Sequence, residues 1–208
     1  MSLDINRLSR VRPFLYHLTS EKNVESIRNT MVLRSAVHFL PPQASRSKRF
    51  SHVLVPTGTT SVHIRDQAPL YEGNTTLQGG WSFADLIYCL NEKVFFWPGN
   101  SIAPIQYGRN HFARYAHEKP AILRAPTSDI IALNGIDRLR FCRYNSGAPR
   151  CNNGVGSPRG PKTFSPAAEC TFGVGDVKEV TFNDCAKLPL STQVSDVDLS
   201  NWSALREE

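Results

Sequence analysis

The chain has 208 residues, 40% hydrophobic and 20% charged, which suits one globular domain whose core needs neither disulfides nor a metal. Lys and Arg outnumber Asp and Glu by 24 to 18, and the resulting charge of +6 favours anionic partners: nucleotides, nucleic acid or an acidic protein face. No stretch of 18 apolar residues spans a bilayer and residues 1–12 lack an apolar signal core, so the expectation is a cytoplasmic protein without a membrane partner.

In chain order, residues 13–19 are short, aromatic and apolar after a proline, which predicts a strand. Ser20 then caps a predicted helix over 21–29, and 31–35 returns as a brief extended piece. Residues 41–51 are basic and polar, and 53–80 reads as loops with a short helix. Residues 81–91 predict a helix, with Ser82 as N-cap and Phe83, Leu86, Ile87 and Leu90 at spacings of three and four. Lys93-Val-Phe-Phe-Trp-Pro-Gly99 follows as a buried strand running into a turn.

Residues 110–119 read as helix, and 121–125 with 129–133 as further strand. Arg138, Arg140 and Arg143 alternate with Ile136, Leu139 and Phe141 over 135–144. Residues 145–165 are rich in glycine, proline and cations and predict a long surface loop. Two closing strands are expected at 166–173 and 177–182, then a polar tail over 191–208 in which Leu199, Trp202 and Leu205 can dock. The predicted core spans about 13–185, and no repeat or second domain is visible.

Five cysteines (Cys89, Cys142, Cys151, Cys170, Cys185) are scattered, with no Cys-x-x-Cys pair, and predict free thiols. His111 and His117 are six apart, and His38, His52 and His63 lie in separate segments. No His-Glu-x-x-His helix exists, so metal catalysis is set aside. The run from Gly154 to Gly160 has one residue too many for a dinucleotide fingerprint and neither follows a strand nor opens a helix.

Two features carry chemistry. His17, in an aromatic strand that leads into a helix, can aim its ring into a cleft; a half-buried histidine bonded to backbone is the bland alternative. Glu169, between Ala168 and Cys170 in an apolar segment, has no evident solvent-facing reason. Glu179 is a weaker rival, because charge alternates along 177–182 as it does on an exposed face.

Tyr16-His17-Leu18-Thr19 followed by Asn23-Val24-Glu25-Ser26-Ile27 resembles the opening of ADP-ribosyltransferases of the diphtheria-toxin and poly(ADP-ribose) polymerase branch, and DarT-like enzymes in particular. The resemblance covers roughly 13–35 and 81–182. It implies an α+β fold of split antiparallel sheets with flanking helices, and NAD⁺ as co-substrate without a metal. His17 would meet the adenosine ribose, with Leu18 and Thr19 beside the nicotinamide. Leu18 stands where the polymerase branch has glycine.

The resemblance also makes the strand with Phe95, Phe96 and Trp97 a wall of the nicotinamide pocket. Alternation puts Phe95 and Trp97 on one face and Phe96 on the other, and the sequence leaves open which face meets the ligand. Glu169 takes the catalytic position, since an ionised carboxylate near the ribose stabilises an oxocarbenium-like state. Arg46, Arg49, Arg65 and Arg114 are candidates for the pyrophosphate, with Arg65 favoured beside its Asp-Pro turn. Arg143, Arg150, Arg159 and Lys162, in the loop before Glu169, would contact the acceptor, whether DNA, RNA or protein.

The expected function is therefore mono-ADP-ribosyl transfer to nucleic acid or protein in a toxin or antiphage setting. The alternatives are an inactive nucleic-acid binder on the same fold, an NAD⁺ hydrolase, or an RNA 2′-phosphotransferase-like enzyme.

Overall fold

The aromatic segment after Pro13 forms β1 (Phe14–Thr19). In the computed structural model, which describes residues 2–58 and 60–207, β1 is the middle strand of a seven-stranded sheet. Before it stands α1 (Ile5–Val11), whose first turn is closed by the Asp4 carboxylate on the Arg7 N–H. After it come a 3-10 turn over Glu21–Asn23, α2 (Val24–Thr30) and β2 (Val32–Arg34). Ser20 makes no side-chain cap there.

The basic, polar segment holds α3 (Pro42–Ser45), and the region 53–80, expected to be loops with a short helix, holds an antiparallel hairpin of β3 (Val53–Thr57) and β4 (Thr60–Ile64), followed by β5 (Thr75–Leu77). The predicted helix is α4 (Phe83–Asn91), closed by a capping box between Ser82 and Asp85, and it runs into β6 (Lys93–Gly99). Next are α5 (Gln106–Tyr115), β7 (Ala121–Pro126) and α6 (Thr127–Asn134). Residues 129–133 are thus helical rather than extended. Pro126 ends the strand, Asp129 favours a first helical turn, and Gly135 at φ +81° lets the chain leave the helix.

The chain closes with β8 (Leu139–Cys142), β9 (Ser157–Arg159), β10 (Glu179–Asn183), β11 (Cys185–Lys187), β12 (Gln193–Ser195) and β13 (Ser203–Ala204). The main sheet has the order β13-β12-β7-β1-β6-β10-β8, every neighbour antiparallel. The polar tail is docked, since β12 pairs with β7 and Leu205 is fully buried. The protein is α+β, with antiparallel sheets and flanking helices.

Alternation divides the sheet's side chains. Leu15, Phe96, Leu123, Val180 and Phe182 enter the main core with Ile27 and Leu33. Tyr16, Leu18, Trp97 and Ile122 pack on the opposite face against Phe112 and Tyr115 of α5. Phe95 and Trp97 share that second face, as the spacing requires. All five cysteines are free, and no helix among the described residues is long and apolar enough to cross a membrane.

The ladder between β1 and β6 is short. β1 pairs with β7 along all six of its residues, but with β6 only through Phe14, Leu15 and Tyr16. Beyond Trp97, β6 keeps only β10 as a partner, from Phe96 to Lys93. The sheet opens at this point.

Candidate functional site

The opening between β1 and β6 leads into a cavity of about 410 Å³, within the range of small-molecule sites. His17 stands at the split. Its Nδ1 lies 2.8 Å from the Phe95 carbonyl, so that nitrogen carries the hydrogen and donates it. The Phe95 carbonyl lies beyond the end of the β1–β6 ladder, and the His17 side chain satisfies it in place of a strand. Burial holds the imidazole down at about 4, so the ring is neutral near pH 7 and its Nε2 is an acceptor.

Leu18 and Thr19 line the same cavity, as do Phe95 and Trp97, whereas Phe96 faces the core. The Thr19 hydroxyl accepts from Asn23 Nδ2 at 3.2 Å, which ties the end of β1 to the turn after it. On α5, His111 lies 4.4 Å from the Trp97 ring centroid, tilted by 32°. Burial pushes His111 down to about 3, so it too is neutral.

Glu169 is not part of this cavity. It is exposed, in a 3-10 turn over Ala167–Glu169 that follows Pro166, and its N–H donates to the Pro166 carbonyl. Strand pairing in this region is confined to a bridge between Phe141 and Ser165, after which the chain turns away. The expected strand over 166–173 does not form.

The carboxylate that does line the cavity with His17 is Glu179, 2% exposed, at the start of β10. Burial raises its carboxyl to about 7, against the stabilising pull of Ser146 and Arg159. The Ser146 main-chain N–H donates to Oε1 at 3.0 Å, while Oε2 is buried without a partner among the described residues. Charge alternation along 177–182 suggested a solvent-facing carboxylate. In the fold, β10 lies between β6 and β8, and the 145–165 loop covers its polar face.

That loop is held by Arg159. Its place in a glycine- and proline-rich loop predicts an exposed acceptor-binding cation, but Arg159 is 1% exposed. Its guanidinium donates to the carbonyls of Asn145 (2.9 Å), Ser146 (3.4 Å) and Pro158 (2.8 Å) and to Ser157 Oγ (2.7 Å), and lies 4.7 Å from the Tyr144 ring centroid. Arg159 thus shapes the turn that presents Ser146 to Glu179. Arg143, Arg150 and Lys162 are exposed, and none of them lines the cavity.

Of the four candidate arginines, Arg49 and Arg65 line the cavity. Arg65 is already paired with Glu118 at 2.6 Å and stacked 4.3 Å over Tyr115. Arg49 meets only neutral acceptors, the Arg65 carbonyl at 2.9 Å and Asn91 Oδ1 at 2.8 Å. Burial lowers it to about 10, so it keeps its charge. Arg46 pairs with Asp85, and Arg114 is exposed on α5. Among the described residues, no group of three or more His, Cys, Asp or Glu side chains is arranged to hold a metal.

Seven buried side-chain polar atoms lack a partner among the described residues, and four belong to cavity residues: His63 Nδ1, Trp97 Nε1, Ser146 Oγ and Glu179 Oε2. Buried polar atoms are nearly always paired, so four exceptions on residues around one concavity set it apart from the rest of the described structure. Local sequence marked neither Ser146 nor His63 as a site residue and ranked Glu179 below Glu169, because each enters the cavity through contacts with segments remote in the chain.

The model of a family described as a family of unknown function, DUF7002, matches residues 13–196, and the chain belongs to that family. No curated protein and no solved structure matches it.

Proposed function

We propose that this protein is an NAD⁺-dependent mono-ADP-ribosyltransferase acting on nucleic acid or protein, built on an ADP-ribosyltransferase-like fold. The observation that carries the reading is one cleft, at a split in an antiparallel sheet, lined by both the neutral His17 and the buried Glu179. The Tyr16-His17-Leu18-Thr19 motif sits at that split, in support of the resemblance.

In this reading His17 Nε2 accepts a hydrogen bond from a ribose hydroxyl, its orientation set by the Nδ1 bond to Phe95. Phe95 and Trp97 offer aromatic surface to the nicotinamide. Arg49, whose charge has no carboxylate partner among the described residues, meets the pyrophosphate. Glu179 replaces Glu169 as the carboxylate. Once ionised, it stabilises the positive charge that develops on the ribose as the nicotinamide bond breaks. Its desolvation, which disfavours ionisation in the free protein, strengthens its attraction to a cationic ribose.

Arg143, Arg150 and Lys162 remain the cations available to a phosphate backbone beside the cleft. Incubation with labelled NAD⁺ tests the reading, with nicotinamide release expected from the parent and lost in Glu179→Gln. Equal release from both proteins would remove Glu179 from the chemistry. Nucleic-acid binding with neither NAD⁺ binding nor cleavage would favour the inactive-binder alternative.

A further inference from the structure

His52 and His63 are remote from Glu118 in sequence, yet the β3–β4 hairpin and the 3-10 turn over Ala116–Glu118 that follows α5 gather a polar chain at the cavity wall. Leu54 pairs with His63 across the hairpin, which brings His52, two residues before Leu54, alongside. His52 Nδ1 lies 3.1 Å from His63 Nε2. On its other side, His52 Nε2 lies 2.7 Å from Asp66 Oδ2 and 3.3 Å from Glu118 Oε1.

Both carboxylates are held in place. Asp66 Oδ1 accepts from the Ala68 N–H at 2.9 Å and the Tyr115 hydroxyl at 3.3 Å, and Glu118 Oε2 accepts from Arg65 at 2.6 Å. His63 is pinned through its backbone, its N–H donating to Asn23 Oδ1 at 2.8 Å and its carbonyl accepting from Asn23 Nδ2 at 2.9 Å. The free end of the chain is His63 Nδ1, a buried nitrogen without a partner among the described residues, on a residue that lines the cavity.

The hydrogen positions follow from the acceptors. Burial opposes ionisation of Asp66, but the Ala68 N–H and His52 together keep its carboxyl below the usual range. His52 Nε2 therefore carries a hydrogen. In the neutral ring His52 Nδ1 is then an acceptor, His63 Nε2–H donates to it, and His63 Nδ1 presents a lone pair. Charge on His63 itself is disfavoured by burial, then by His52, Arg65 and Lys22, with Glu118 opposing them. A proton received at Nδ1 is consequently passed on: the Nε2 hydrogen moves to His52, whose ring faces two carboxylates. His117 is the remaining ionisable neighbour, 3.8 Å from Glu118.

We propose that His63 Nδ1 is the proton acceptor for the attacking nucleophile, with His52, Asp66 and Glu118 as the relay that stores the proton. The proposal rests on the ADP-ribosyl-transfer reading and narrows its acceptor to a neutral O–H or N–H group. A carboxylate or phosphate acceptor is already anionic and needs no base. In the step, the bond from ribose C1′ to nicotinamide breaks and its electron pair leaves with the nicotinamide. A lone pair of the acceptor O or N forms the new bond to C1′, and the acceptor's proton goes to His63 Nδ1. His63 Nε2–H shifts to His52 Nδ1, which ends as an imidazolium between Asp66 and Glu118.

The test uses the full chain with NAD⁺ alone, water serving as the O–H acceptor. His63→Gln is expected to bind NAD⁺ within about 2-fold of the parent by calorimetry, while nicotinamide release falls about 100-fold, the low end of general-base effects. The parent's release should rise with pH through Glu179 and the relay together. His63→Gln should keep only the rise due to Glu179, whose carboxyl lies at about 7, and Asp66→Asn should shift the remainder. Imidazole added to His63→Ala should restore part of the rate. Unchanged release in His63→Gln, or a loss explained wholly by weaker NAD⁺ binding, would overturn the proposal.

A second measurement needs no activity. Nitrogen-15 NMR of histidine-labelled parent protein is expected to show His63 protonated on Nε2 and bare on Nδ1 at neutral pH. A hydrogen on Nδ1 in the neutral state would overturn the relay even if every variant failed to fold. Should the parent neither bind nor cleave NAD⁺, the transferase reading fails and the catalytic role with it, whereas the NMR result still decides the relay.

Discussion

The Ser146 main-chain N–H donates to Glu179 Oε1 at 3.0 Å, across 33 residues of chain. This bond joins a loop with little core-forming sequence to a carboxylate in the interior of the sheet. Arg159 holds the carbonyls of Asn145 and Ser146 itself, so a buried cation sets the geometry of a buried anion without touching it. The consequence is a carboxyl poised near neutrality, with one oxygen anchored and the other buried without a partner among the described residues.

Glu179 makes opposing contributions to stability and chemistry. Its folded-state value of about 7 lies above the ordinary 4.5, so the native state binds the extra proton between these limits. Stability should fall as pH rises from about 4.5 to 7. Glu179→Gln keeps an oxygen for Ser146 and removes the buried charge. We expect its melting temperature to exceed the parent's at pH 8 by several degrees, on the order of 2–4 °C per kcal/mol, with little difference at pH 4.5. NAD⁺ cleavage should drop at least ~100-fold, whereas Glu169→Gln, on an exposed turn, should change neither property.

His17 behaves in the opposite sense. Its folded value of about 4 lies below the ordinary 6.5, so the unfolded chain binds more protons in that window. Its contribution to stability is full above 6.5 and is lost as pH falls toward 4. Denaturation midpoints at pH 7.5 and 5 should therefore diverge more in the parent than in His17→Gln. Loss of one ribose hydrogen bond should weaken NAD⁺ binding in that variant about 10-fold, measured by calorimetry.

The cations of the 145–165 loop should separate into two classes. Arg159→Met leaves the loop carbonyls without donors in a buried setting, and we expect a loss of about 3 kcal/mol in chemical denaturation. Arg159→Lys retains the charge without the planar fork and should recover only part of it. Arg150→Ala and Lys162→Ala should change stability by less than about 0.5 kcal/mol. If nucleic acid is the acceptor, those two variants should weaken its binding and reduce the salt dependence.

Gly108 couples α5 to the cavity. A Cβ there would lie 2.8 Å from Pro104 Cβ and 2.9 Å from Trp97 Cβ, closer than packed carbons tolerate. Gly108→Ala should force α5 outward and carry His111 off Trp97. A destabilisation of about 1–3 kcal/mol is expected, with altered Trp fluorescence as the local readout.

Much of the scaffold was legible in local sequence. β1, α4 and β6 appear where aromatic content, apolar spacing and the Ser82 cap put them, and alternation correctly separated Phe96 from Phe95 and Trp97. Those elements are specified by short-range chemistry and by burial on a known period. The β3–β4 hairpin, the helix at 127–134 and the strands of the tail were not legible. Each depends on what the rest of the chain offers as a partner or boundary.

The site divides along the same line. The sequence alone determined that His17 lies in an aromatic strand leading into a helical turn, that an aromatic strand follows α4, and that no histidine pair has metal-motif spacing. Tertiary structure alone decided which carboxylate shares a cavity with His17, because Glu169 and Glu179 differ in what covers them rather than in residue type. It also decided that Arg159 is an internal clamp and that His52 and His63 touch. Burial and hydrogen bonding between remote segments set each of these arrangements, and neither is encoded within a window of a few residues.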